Sequence, residues 1–467
     1  APADRRCSGD GSSVEAVLLN PYQYYADVFI DLLYTQHGIR TIALHSDWRT
    51  RLIRQPRMPI LDSPAVSAHY MVPPQGVAAL VPMLRRRHDV VAVLPHDEGA
   101  VAPLVTIAQE LGLPWGRQPI LTTLHSKQAV KRFIATADPG VRLNQVARVS
   151  SAGVALEWAH SHEIDRFVLK PDAGSGNRGI GFFDTDGDPA TLADYFAQHP
   201  GEPLAEEYIG GVEYWVNGQT GPEGDPVVSG LGIYDRRSVN GKENVEVGSR
   251  SIASTHPAAA ELGEYARRVV TAMGLQRSPF HLEAKVDDRG PCLIEVGARL
   301  CGEKVVAMDG WAHGTDLMAA AVDGYADARG GRTTGLDWGR YDSHRFVAVN
   351  GSSTHHDVLA EVAGVAEVES MPGFVMWIKK PEVGDTIVPT RDLLANPWSL
   401  YLWGPDDPTL DRADEEVRAT VALTGLSQTP RGLRARWPVY RERVGRYWRA
   451  RIRVSQVRSW GKGRRSV

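Results

Sequence analysis

FHLEAKVDDRGPCLIEVGARLCG, from Phe280 to Gly302, reads as two short strands joined by a tight turn. Asp287, Asp288, Arg289 and Gly290 supply the turn chemistry. Side chains on a strand alternate faces with a period of two. His281, Glu283 and Lys285 therefore share one face of the first strand, and Leu293, Glu295, Gly297 and Arg299 share one face of the second. Where those faces coincide, two carboxylates converge beside a guanidinium. Such a group is costly to bury without counter-ions. Two carboxylates suit hard Mg²⁺ ions bridging phosphates, and arginine suits the charge of a phosphoryl group in transfer. A surface hairpin closed by a salt bridge is the plainer reading of the same residues. The surrounding chain decides between the two.

The chain has 467 residues, too many for one simple domain and enough for roughly three. Hydrophobic residues make up 43% and charged residues 23%, as in an ordinary globular protein, and the net charge of −4 carries no nucleic-acid footprint. No uninterrupted apolar run is long enough to span a bilayer. Residues 1–13 lack the apolar segment of a signal peptide and are read as a flexible leader. Three cysteines, Cys7, Cys292 and Cys301, make neither a disulfide framework nor a metal cluster and fit a reducing cytoplasm. Cys301 lies near Arg299 but is better read as a small buried thiol than as a nucleophile.

Upstream, residues 14–115 alternate strand and helix. Strands are expected at Val14–Asn20, Ile39–Ser46 and Val90–Gly99, with helices near Tyr25–Gln36, Gln75–Arg87 and Ala100–Leu111. That order implies a doubly wound α/β domain, whose ligands sit at the carboxyl ends of the strands. Asn20, His96, Asp97 and Glu98 stand at those ends, Asp97 reading best as a helix cap. A second unit covers 116–203 and opens with a serine-capped helix at Ser126. A third covers 204–340 and holds the hairpin. Residues 341–430 read as a small β-rich C-terminal module. The arginine-rich stretch 431–467 has loose helical spacing, suited to packing on its own domain or a sister subunit before a membrane surface.

Two further motifs carry chemistry. In KPDAGSGNRGIGF, Lys170 ends an apolar strand and is followed by Gly174, Ser175, Gly176, Gly179 and Gly181. Glycines let backbone N–H groups approach an anion, and the lysine adds a point charge for phosphate. The loop does not match the Walker pattern and stands where a mobile lid would. In LAEEYIGGVEYWVNG, residues Leu204–Gly218, backbone after Glu206 and Glu207 can meet a base edge, and Glu213 can accept from both hydroxyls of a ribose.

The order is Lys127, then Lys170 with its glycine loop, then EEYIxGxE, then Glu283, then ExGxR. In it the chain resembles the ATP-grasp superfamily over roughly residues 15–390. FHLEAK and GPCLIEVGAR are similar to the dipeptide-forming L-amino acid ligases within it. The resemblance implies an ATP-grasp fold: a doubly wound N-terminal domain, two α+β subdomains gripping ATP, and a small β-rich module. It implies that Lys127 and Lys170 bind phosphates and that the Gly174–Gly181 loop, with Ser175, Gly176 and Gly179, closes over them. Glu206, Glu207 and Ile209 would meet adenine, Glu213 the ribose, and Leu293 would pack under the base. Glu283 and Glu295 would hold Mg²⁺, with Mn²⁺ as a substitute. Lys170 and Arg299 would be catalytic, Arg299 stabilising the phosphoryl group and then an acyl phosphate. Many family members carry asparagine where this chain has Gly297, which removes one metal ligand.

Glu246, His281, Gly302 and Glu303 border the expected substrate site, Lys304 beside them. The implied activity is ATP-dependent amide formation between a carboxylate, an amino acid, and an amine, with release of ADP and phosphate. This is a cytoplasmic natural-product type of ligase, and homodimers are common in the family. A carboxylase-type or nucleotide-biosynthetic ATP-grasp enzyme is one alternative. A non-catalytic nucleotide-binding regulator is the other, and it would not need Lys170, Glu283, Glu295 and Arg299 together.

Overall fold

The structure, a computed structural model, describes residues 14–22, 25–54, 58–172, 179–302, 305–326, 335–429 and Val439. Gly174, Ser175, Gly176, Glu303 and Lys304 lie outside the described residues, as do the 1–13 leader and all of 431–467 but Val439.

Strands β1 (Val14–Leu19), β2 (Arg40–His45), β3 (Val66–Met71) and β4 (Asp89–Val93) form a parallel sheet in the order β3-β2-β1-β4. The runs VEAVLL and RTIALH are buried almost throughout, as parallel strands covered on both faces must be. The sequence reading lacks β3. It is an edge strand, only half-buried, and its VSAHYM composition carries no clean alternation. The expected helix at Gln75–Arg87 is shortened. Gly76 holds φ +87, a 3-10 turn follows at Val77–Leu80, and the α-helix starts only at Val81, with Pro82 in its first turn. The helix Glu98–Leu111 is capped by the Asp97 carboxylate, which accepts from Ala100 N–H at 2.8 Å, and it ends at Gly112 in the left-handed region.

A second sheet holds β5 (Val146–Arg148), β6 (Arg166–Lys170), β7 (Gly181–Asp184) and β8 (Leu204–Glu207), in the order β5-β8-β6-β7. Its small core is aromatic, around Trp158, Phe167, Phe183 and Tyr195.

The third sheet is large. Strands β9 (Val212–Thr220), β10 (Pro226–Val239), β11 (Lys242–Ser251), β12 (Pro279–Asp287), β13 (Gly290–Gly297) and β14 (Arg345–Asn350) lie in it. The C-terminal strands do not stand apart from it. Of β15 (Asp357–Ala363), β16 (Phe374–Lys379), β17 (Thr386–Ile387), β18 (Ser399–Gly404) and β19 (Ala422–Gly425), two join it. Its order is β13-β12-β9-β10-β11-β14-β18-β16, while β17-β15-β19 make a small sheet of their own. Among the described residues no helix is long and apolar enough to cross a membrane.

Candidate active site

The β12–β13 hairpin forms as its alternation and turn residues demand, with Asp287 paired to Gly290. Its register sets His281 against Gly297 and Glu283 directly against Glu295. The pairing then slips by one: Ala284 faces Leu293, and Ile294 is the extra residue of a β-bulge. A one-residue slip moves every following side chain to the other face. Leu293 is therefore buried in the core at 1% exposure, and it does not line the site as the period-two reading expects. Ile294 lines it instead.

A cleft of about 500 Å³ opens above this hairpin, between the three sheets. Lys127, Lys170, Glu206, Glu207, Ile209, Glu213, Glu246, His281, Glu283, Glu295, Arg299 and Gly302 all line it. Asn20, His96, Asp97 and Glu98 reach it from the strand ends of the first sheet. Gly179 is not in its wall; it turns at φ +71 and its carbonyl accepts from the Tyr195 hydroxyl at 2.6 Å. Val168, Ile180, Phe182, Tyr208, Ile209 and Ile294 give one end of the cleft an apolar lining. Lys285 sits there with its ammonium 4.7 Å from the Tyr208 ring centre and donates to the Ile209 carbonyl at 3.1 Å.

Glu206 is committed to a role the motif did not show. Its carboxylate is buried and accepts from Lys131 at 2.8 Å, Lys170 at 2.9 Å and Asn144 at 3.0 Å. Burial pushes the Glu206 carboxyl up, but Lys131 and Lys170 outweigh it and bring it down to about 2. At Lys131 burial wins and pushes the ammonium down; at Lys170 the carboxylates of Glu206, Glu295 and Glu283 outweigh burial and push it up. The Glu206 side chain thus holds Lys170 in place and is not directed at a base. Neither Lys131 nor Asn144 was singled out from sequence. One signal existed: Lys131 follows Lys127 by four residues in the helix Lys127–Ala137, which puts both on one face.

Around the facing carboxylates, Glu283 accepts from the Tyr234 hydroxyl at 2.8 Å and lies 3.4 Å from His281 Nε2. Burial pushes its carboxyl up, but His281, Arg236 and Tyr234 together bring it down to about 2. Glu295 goes the other way. Burial and the neighbouring Glu283 hold it up against Lys127, whose Nζ is 3.5 Å away. Arg299 donates to Glu98 at 2.6 Å across the boundary with the first domain, and to its neighbour's carbonyl, Leu300, at 2.8 Å. The space beside Gly297 is already bordered by that acid: a Cβ built there lies 3.4 Å from Glu98 Oε2. Arg236, quoted in no motif by role, bridges Glu213 at 2.7 Å and Glu246 at 3.4 Å. Cys301 is buried, and burial pushes its thiol far up, so it is no nucleophile.

These residues fit a divalent cation. Two opposed carboxylates, one of them destabilised by the other, favour a positive charge between them, and oxygen donors suit Mg²⁺. Among the described residues no three His, Cys, Asp or Glu side chains are grouped to hold a metal alone. The remaining oxygens must then come from a ligand and water, as for Mg²⁺ on a phosphate chain.

The ATP-grasp domain model matches residues 166–307. Dapdiamide A synthase from Enterobacter agglomerans is 25% identical over 224 residues, covering 46% of this chain and 52% of that protein. The chain thus spans about half the length of that curated relative. Among solved structures, L-amino acid ligase from Bacillus licheniformis superposes with a TM-score of 0.68 at 14% identity, over 89% of this chain and 99% of that one. Phosphoribosylglycinamide synthetase from Anaerococcus prevotii gives 0.61 at 11% identity, over 88% and 100%. At such identities the likeness is one of fold.

Proposed function

We propose that this chain, which carries an ATP-grasp domain, is an ADP-forming carboxylate–amine ligase that joins an amino acid to an amine in the cytoplasm. The observation that carries the proposal is the register of Glu283 against Glu295, with Lys170 and Arg299 opening onto the same cleft. The dapdiamide A synthase relative favours an amide-forming activity over the other chemistries of the fold.

In this reading Lys127 and Lys170 hold phosphate oxygens of ATP, and Glu283 and Glu295 hold Mg²⁺. Mg²⁺ held there would supply positive charge against the phosphate oxygens. The apolar end of the cleft takes adenine, with Ile294 in place of Leu293, and Glu213 takes the ribose once it exchanges Arg236. A substrate carboxylate oxygen attacks the γ-phosphorus, the bond to the β-phosphate oxygen breaks, and ADP leaves. An amine nitrogen then attacks the carbonyl carbon of the acyl phosphate, its C–O bond breaks, phosphate leaves and the ammonium proton is lost. Arg299 exchanges Glu98 for the reacting phosphoryl group, where preorganised positive charge lowers the barrier. Glu246 lines the cleft and would pair with a substrate ammonium on exchanging Arg236, and Gly302 lines the same cleft with open space where a Cβ would stand.

The test is phosphate release with carboxylates and amines offered in pairs. Release that needs both partners, with an amide product by mass, is the expected result. Turnover on bicarbonate with no amine would instead mark a carboxylase-type enzyme. ATP binding with no turnover under any pair would leave only a nucleotide-binding protein.

A further inference from the structure

One hydroxyl in the cleft has no part in the proposed chemistry. The phenol of Tyr234, on β10, lies 2.8 Å from Glu283 Oε1. An ionised carboxylate can only accept, so the phenol donates. His281 Nε2 stands farther from the same oxygen, at 3.4 Å. Tyr234 makes this contact from a strand that does not adjoin β12, because β9 lies between the two. On β9, Trp215 is paired with Glu283 on one side and with Gly232 on the other. Its indole covers Gly232, where a Cβ would lie 2.0 Å from the ring. Tyr234 is two residues further along β10 and shares that face. The Arg236 guanidinium lies 4.4 Å from the Tyr234 ring centre and is itself held by Glu213 and Glu246. Phenylalanine would give the same ring to that contact, so the packing does not account for the hydroxyl.

A hydrogen bond to one oxygen of a ligating carboxylate fixes its orientation and leaves the other oxygen for the ion. We infer that Tyr234 is a positioning residue: its hydroxyl holds Oε1 of Glu283, so that Oε2 is the oxygen offered to the divalent cation. The inference rests on the ligase reading for its catalytic consequence, but not for its effect on the metal.

The test uses the full chain with Tyr234→Phe, which keeps the ring and its contact with Arg236. The change removes one oxygen atom from the cleft wall, so the fold is expected to be kept, and equal urea midpoints check it. Affinity for Mn²⁺ with saturating ADP, read by electron paramagnetic resonance, is expected to fall about 10–100-fold. Affinity for ADP in the presence of a chelator, read by calorimetry, is expected to match the parent. In a Glu283→Ala background, Tyr234→Phe should cause no further loss of Mn²⁺ affinity, since a residue acting through Glu283 then has nothing to position. In turnover, raising Mg²⁺ should restore most of the lost kcat, with KM for the amine little changed. Parent-like Mn²⁺ affinity in Tyr234→Phe overturns the inference. So does an equal loss of ADP affinity with and without metal, or a further loss in the Glu283→Ala background. Absence of turnover with any substrate pair overturns the ligase reading alone, since metal and ADP affinities are read without it.

Discussion

Charge is concentrated at a few residues, and each has a partner that explains its state. Arg299 is held by Glu98 and Glu295 by Lys127, so the cleft keeps its reactive groups ion-paired. Removing Arg299 or neutralising Glu295 should therefore cost rate far more than stability. Arg299→Ala and Glu295→Gln are each expected to lower kcat/KM by about 10²–10³-fold, the loss typical of one transition-state contact. Near-normal amide formation by Arg299→Ala would contradict its assignment. Glu206 and Glu283 are both held down to about 2, from an ordinary 4.5. A carboxyl lowered on folding stabilises above its unfolded value, and that contribution is lost as pH falls through the folded one. Urea midpoints should thus drop between about pH 4.5 and pH 2, and Glu206→Gln should flatten part of that slope. An unchanged slope in the variant would show that Glu206 does not carry it.

At the scale of elements, the strands were more readable than their pairing. The alternation of FHLEAK and the turn at Asp287–Gly290 identify the hairpin because both are local. The bulge at Ile294 was not readable, because register is set by the partner strand and not by the strand's own pattern. Edge strand β3 was missed for lack of alternation, and the strands β14, β18 and β16 were separable from the large sheet on paper only. The entry to β9 shows how tightly these elements meet. Gly211 sits at φ +75, and a Cβ there would lie 2.0 Å from the Val286 carbonyl oxygen. Gly211→Ala is expected to destabilise by about 1–3 kcal/mol, through backbone strain that no side-chain adjustment relieves. Denaturant unfolding measures it, and a shift within error would show that β9 and β12 separate there at little cost.

The whole molecule converges on one cleft. The first domain contributes Glu98, the helix Lys127–Ala137 contributes Lys127, and the second sheet contributes Lys170 and Phe182. The large sheet supplies both carboxylates. A ligand that fills this space binds only the folded chain. Saturation with Mg²⁺ and a non-hydrolysable ATP analogue at a hundredfold over its Kd should stabilise it by about 2.7 kcal/mol, and chelating the metal should remove most of that. Equal unfolding curves with and without the analogue would mean that the cleft does not bind it.

Residue order was sufficient to point to the acid pair Glu283 and Glu295, to Lys127 and Lys170, and to the strands that carry the acids. Those features are encoded between near neighbours, through alternation, capping and turn residues. The ionic partnerships were settled only in three dimensions. Lys131 meets Glu206 across 75 positions, and Arg299 meets Glu98 across 201. Electrostatic energy depends on distance through space and on burial, and neither is a local property of the chain.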